Sequence, residues 1–124
     1  MSDATILVVE DDPEVRRQVV RGLEEEGYRV AQAEHGAEAL DLARRADGTL
    51  DLVVSDVSMP TMPGRELAQR LTELRPDLPV LFISGYPGAD VVQRGLLDPG
   101  RPFIQKPFTP EALAEKVREL LDHR

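Results

Sequence analysis

Glu10, Asp11 and Asp12 stand together where the apolar run Thr5-Ile6-Leu7-Val8-Val9 ends, and Asp56 closes a second such run, Leu52-Val53-Val54-Ser55. A third run, Val80-Leu81-Phe82-Ile83, stops at Ser84; a fourth, Phe103-Ile104-Gln105, stops at Lys106. A polar residue at a strand end is ordinary when taken singly. Together these ends offer carboxylates, one hydroxyl and one ammonium. In open α/β sheets, ligands bind outside the carboxyl ends of the strands, so all of these residues face one edge if the runs lie parallel.

The chemistry follows from the charges. If the first and third strands are neighbours, Glu10, Asp11 and Asp56 crowd together, and one holds a proton unless a cation intervenes. Lys106 supplies one positive charge. A hard divalent ion supplies two more, and Mg²⁺ fits best, because it takes few protein carboxylates and keeps waters for an incoming phosphoryl group. Asp12 is accounted for as a helix N-cap, a role that Glu10 and Asp11 lack. Asp56 is the best nucleophile candidate, since a carboxylate attacking phosphorus gives an aspartyl phosphate; Asp is also common as a plain turn residue. Lys106 and Lys116 are the only lysines among 15 basic residues. A compact ammonium at a strand end suits a point contact to one phosphoryl oxygen. Ser84 offers a hydroxyl to another, although a Ser before Gly85 serves equally well as a turn residue.

These positions need elements to hold them. The unalternating apolar runs read as strands buried on both faces, as in a parallel sheet. Asp12-Pro13-Glu14 opens a helix with a cap, a first-position proline and an acid in the first turn. Val15, Val19, Val20 and Leu23 form its inward stripe, and Gly27 stops it. Tyr28–Ala33 is a short strand. Ala37–Ala46 is a helix with Ala39, Leu40 and Ala43 inward, followed by Gly48. Val57–Pro63, with Pro60 and Pro63, is a loop. Gly64–Leu74 is a helix with Leu67, Leu71 and Leu74 inward. A weak helix covers Ala89–Arg94. Thr109-Pro110-Glu111 starts the last helix, with Leu113, Val117, Leu120 and Leu121 inward. Strands alternating with helices predict an α/β fold, a doubly wound five-stranded parallel sheet with helices on both faces, in one domain filling residues 1–124 with its core at about 5–121.

Composition narrows the function. With 124 residues, 41% apolar and 31% charged, the chain reads as one globular domain. A net charge of −8 disfavours direct binding to a nucleic-acid backbone. The absence of cysteine excludes thiolate chemistry, and two histidines leave no His-rich metal site. Five aromatics, Tyr28, Phe82, Tyr86, Phe103 and Phe108, are too few for a base-stacking platform. No apolar run approaches the roughly 20 residues that span a bilayer, and no signal peptide precedes the first strand. The expectation is a cytoplasmic domain without membrane contact.

Val9-Glu10-Asp11-Asp12, Asp56-Val57-Ser58-Met59-Pro60 with Met62 and Gly64, Ser84-Gly85, and Lys106-Pro107-Phe108, in that order and at strand ends, resemble the receiver domains of two-component response regulators. The resemblance runs from Ile6 to Leu121. It implies a flavodoxin-like strand order 2-1-3-4-5, and phosphoryl transfer to Asp56 from a phosphohistidine on a histidine kinase or phosphotransfer protein. It implies that Asp11, Asp56 and the Ser58 carbonyl bind Mg²⁺ directly, with Glu10 acting mostly through water. It places Lys106 on the phosphoryl group, beside a peptide bond to Pro107 that is often cis, and Ser84 and Phe103 at the switch positions. Phe103 departs from the frequent Tyr there, which removes a phenol hydrogen bond from the switch. Phe82–Pro87 and Gly95–Phe103 look like the receivers appended to hybrid histidine kinases, so a free-standing receiver and one from a longer protein both remain open. With no output domain after Leu121, output is expected through a downstream protein target, from a monomer or weak dimer.

Two other classes compete. A receiver-like interaction module that is never phosphorylated is disfavoured by the intact set Asp11, Asp56, Ser84 and Lys106. An aspartate-based phosphohydrolase would carry Asp-x-Asp after the first strand, which Glu10-Asp11-Asp12-Pro13 does not supply, and there is no cap insertion to enclose a substrate. A receiver assists its own phosphorylation without being a turnover enzyme. Residues 84–102 hold four of the nine glycines, together with Pro87, Pro99 and Pro102. That segment is expected to be the least stable and to move on phosphorylation.

Overall fold

A computed structural model of the protein describes residues 4–46, 49–59 and 61–123. In chain order the elements are β1 (Thr5–Val9), α1 (Pro13–Glu25), β2 (Arg29–Ala33), α2 (Gly36–Ala46), β3 (Leu52–Asp56), α3 (Gly64–Leu74), β4 (Val80–Ser84), α4 (Gly88–Gln93), β5 (Phe103–Gln105) and α5 (Pro110–Asp122). The strands pair in parallel in the order β2-β1-β3-β4-β5. This is the flavodoxin-like order that the resemblance implies. The central strands β3 and β4 are buried along their whole length, as their unbroken apolar runs require.

Successive side chains on a strand point to opposite faces, so the sheet feeds two apolar layers. Leu7, Val9, Val53 and Phe82 pack with Ala39, Leu40, Leu67 and Leu71 from α2 and α3. Ile6, Val8, Val54 and Ile83 pack with Val19, Leu23, Leu113 and Val117 from α1 and α5. The sheet is thus covered on both sides.

The helix starts follow the sequence signals. The Asp12 carboxylate accepts hydrogen bonds from the N–H groups of Glu14 and Val15 at 2.9 and 3.3 Å, and Pro13 opens α1. Thr109 accepts from the Ala112 N–H at 3.0 Å, ahead of Pro110. Past the end of α1, Gly27 has φ 93°, a left-handed turn that suits glycine. Gly48 and Pro60, both read as breakers, lie outside the described residues.

Some expectations shift. The structure starts β2 at Arg29 and α2 at Gly36, each one residue from the expected start, and α4 ends at Gln93. Leu74, expected to face inward, is 38% exposed. It occupies the last residue of α3, and the apolar layer beneath is completed by Leu78 from the segment leading into β4. Val15, Leu120 and Leu121 are half-buried at the margin of their layer.

Candidate functional site

Parallel pairing of β1 with β3 sets Val9 opposite Ser55, so Glu10 and Asp56 leave the sheet side by side. Both are buried, at 2% and 7% exposure. Burial is costly for paired acids, and the structure shows how each is held. Asp56 Oδ1 accepts the Ser58 N–H at 2.7 Å, and Asp56 Oδ2 accepts from Lys106 Nζ at 3.0 Å. Glu10 Oε2 accepts the Asp12 N–H at 3.4 Å. Glu10 Oε1 is buried without a hydrogen-bond partner, with Lys106 Nζ 3.9 Å away. Burial first, then the charge of Asp56 and the hydrogen bonding of Asp11 and Asp56, push the Glu10 carboxyl up to about 8, against a smaller opposing pull from the Asp12 backbone. Burial works against the charge on Lys106. Its hydrogen bond to Asp56 and the charges of Asp56, Glu10 and Asp12 outweigh that, and its pKa rises.

Lys106 reaches the acids from β5, on the far side of β4. Its N–H donates to the Ser84 carbonyl at 2.7 Å, and its bond to Pro107 is cis. Ser84 is fully buried. Its hydroxyl accepts the Tyr86 N–H at 2.9 Å and donates to the Tyr86 carbonyl at 3.1 Å. In this state the hydroxyl has the turn role that its sequence context allows. Phe103 lies opposite Phe82 on β5 and packs, half-buried, against the α2–α3 layer. Asp11 is exposed at the rim, Asp12 is occupied as the α1 cap, and Ser58 is exposed beside Asp56. Of the sequence-nominated residues, the fold therefore brings Glu10, Asp56, Lys106 and the Ser58 backbone into contact, with Asp11 beside Glu10. It keeps Ser84 in its own turn and Phe103 in the apolar layer.

Two further residues act on this edge without a sequence signal. Arg16 donates to the Glu10 carbonyl at 2.8 Å and lies 3.8 Å from Glu34. Arg94 places its guanidinium 4.4 Å from the centre of the Tyr86 ring, over the turn that holds Ser84. Both are exposed-type residues whose partners are set by tertiary packing, so spacing along the chain does not reveal them.

Among the described residues, no group of three or more His, Asp or Glu side chains is arranged to hold a metal unaided. The donor set still fits a hard cation. Two buried carboxylates adjoin an exposed one, and Glu10 Oε1 lacks a donor. Mg²⁺ characteristically takes one or two carboxylates and keeps its remaining ligands as water.

The family model for the response regulator receiver domain matches residues 6–118. The chain belongs to that family. It is similar to the sensor kinase CckA of Brucella abortus, with 42% identity over 120 residues that make up 96% of this chain and 13% of that protein. It is also similar to the response regulator receiver protein CpdR of Brucella abortus, with 34% identity over 94% of this chain and 95% of that one. The chain thus spans a small part of one relative and nearly all of the other. Its fold superposes on the response regulator protein TrrA from Thermotoga maritima, solved in complex with Mg²⁺-BeF, with TM-score 0.77, 32% identity and coverage of 94% of this chain and 98% of that one. The protein is a receiver domain of two-component signalling. No helix among the described residues is long and apolar enough to cross a membrane.

Proposed function

We propose that this receiver takes a phosphoryl group on Asp56 from the phosphohistidine of a histidine kinase or phosphotransfer protein. The observation that carries the reading is the setting of Asp56, buried at a strand end between the Ser58 N–H and Lys106. An Asp56 oxygen forms the new bond to phosphorus as the bond from phosphorus to the donor imidazole nitrogen breaks, and the electron pair leaves with the ring. Lys106 already points at the reacting carboxylate and stays with the transferred group, where a charge-assisted contact holds one oxygen. Ser84 exchanges its turn hydrogen bonds for a contact to another oxygen, and that movement passes toward Phe103. Asp11, Asp56 and the Ser58 carbonyl would hold Mg²⁺, with Glu10 acting through water. Such an ion, when bound, neutralises the crowded acids and the incoming phosphoryl oxygens.

On this reading residues 1–124 form one receiver domain with its core at about 5–121, at work in the cytoplasm. It assists its own phosphorylation without being a turnover enzyme. It acts on a downstream protein target through the surface formed by residues 84–102 and α5, as a monomer or weak dimer. Intact-mass measurement after incubation with acetyl phosphate and Mg²⁺ tests the acceptor. One base-labile phosphoryl group is expected on the wild type and none on Asp56→Asn. Equal labelling of the two would refute the assignment.

A further inference from the structure

The start of α2 and the loop between β3 and α3 approach more closely than a side chain at position 36 allows. A Cβ on Gly36 would lie 2.7 Å from Met62 Sδ, 2.9 Å from Met62 Cβ and 3.1 Å from Met62 Cγ. The sulfur could swing aside, but a Cβ moves only with its backbone. Met62 itself is half-buried against the layer that contains Leu67 and Phe82. The loop is also drawn shut at its far end. The Gly64 N–H donates to the Val57 carbonyl at 3.0 Å, and a Cβ on Gly64 would stand 2.9 Å from the Phe82 ring. Between these anchorages lies Ser58, whose N–H reaches Asp56 Oδ1 at 2.7 Å while its side chain is exposed. Val57 is tied to β4 through its N–H on the Ile83 carbonyl at 3.0 Å and Met59 is buried, so the seat of Met62 adds a further hold on the loop that carries this N–H.

The seat has its own local hydrogen bonds. The Glu34 N–H donates to Glu38 Oε1 at 2.6 Å and the Glu38 N–H to His35 Nδ1 at 3.2 Å, which ties down the first turn of α2. Arg16 links Glu34 to the Glu10 carbonyl, so the same turn is tied to the acids on the β1 side. Helix propensity alone would favour Ala at position 36.

We propose that Gly36 is a positioning residue for the acceptor edge: having no side chain, it lets Met62 seat on the start of α2, and that seat fixes the loop that holds the Ser58 N–H on Asp56. The consequence for metal and phosphoryl binding rests on the reading of Asp56 given above; the seat itself does not.

The test compares ¹⁵N-labelled wild type, Gly36→Ala, Met62→Ala and the double variant. Gly36→Ala should shift the Ser58 amide resonance and speed its exchange, while amides of the buried strands β1 and β3 stay protected. Its Mg²⁺ affinity should fall about tenfold, the scale on which groups that orient metal ligands act. Met62→Ala should have a milder effect, because it empties the seat without forcing the loop away. In the Met62→Ala background, Gly36→Ala should do no further harm to the Ser58 resonance or to Mg²⁺ affinity, and the melting temperature should hold or rise. Should Gly36→Ala alone fail to fold, this comparison of Met62→Ala with the double variant decides. An undisturbed Ser58 amide in Gly36→Ala, or equal damage in both backgrounds, would overturn the proposal. A wild type that binds no Mg²⁺ would remove the metal reading and leave the Ser58 amide to decide the seat.

Discussion

The segments that follow β3 and β4 both begin at a site residue, Asp56 and Ser84, yet they are fastened in opposite ways. After Asp56 the chain buries Val57 and Met59, half-buries Met62, and enters α3, an eleven-residue helix that buries Gly64, Leu67, Ala68 and Leu71. After Ser84 it exposes Gly85, Tyr86 and Pro87 and enters α4, only six residues long. Val91 is buried there, Val92 is 39% exposed, and the next buried anchor is Leu97, beyond the helix. Gly95 and Gly100 adopt φ of 71° and 85°, the left-handed region in which glycine is at ease. Its polar ties are exposed: Arg94 lies on Tyr86 within the segment, and Arg65 on α3 pairs with Asp98 at 2.9 Å. Asp56 thus leads into packed apolar structure, whereas the chain after Ser84 leaves a buried strand for a segment with few buried anchors, the kind of structure that opens at low cost.

Truncation should show the contrast at full size. Leu67→Ala removes a fully buried side chain and should cost about 2–5 kcal/mol in urea unfolding. A loss below ~1 kcal/mol would mean that α3 is not the firm side of the comparison.

The acids give the next effect. Glu10 is raised from 4.5 to about 8, so the native state holds a proton that the unfolded chain releases, and stability falls as pH climbs through that window. Glu10→Gln should flatten the slope and, at pH 8 without divalent ions, stabilise the fold by up to about 4 kcal/mol. Mg²⁺ should flatten the wild-type slope as well. A stability profile of unfolding free energy against pH from 5 to 8.5 reads both, and an unchanged slope in the variant would exonerate Glu10.

On the loose side the effects should be small. Arg94→Ala loses a cation–π contact at an exposed site, about 0.5–1 kcal/mol, and should speed amide exchange near Tyr86 without touching the central strands. Val92→Ala should stay within about 0.5 kcal/mol of wild type. A larger loss from Val92→Ala would show a hidden packing partner for α4.

Much of this was legible in the residues. Unbroken runs such as Leu52–Ser55 mark strands buried on both faces, and Asp12-Pro13 and Thr109-Pro110 mark helix starts because the cap chemistry is local. Glu10, Asp56 and Lys106 could be nominated because parallel strands deliver their ends to one edge. The strand order came with the family resemblance, since periodicity does not say which strands are neighbours. Leu74 misled because helical spacing reports a face and not where the sheet beneath it stops. Arg16, Arg94 and the approach of Met62 to Gly36 depend on distances between elements far apart in sequence. Ser84 read equally well as a switch or a turn residue, and in this state it makes the turn.

Hydrogen exchange followed by mass spectrometry, on free protein and on protein treated with beryllofluoride and Mg²⁺, tests the division most directly. Residues 84–102 should exchange fastest outside the termini in the free protein and should slow on treatment. The β3 strand and α3 should be protected throughout. Unchanged exchange across 84–102, with the response confined to residues 37–46, would contradict the account.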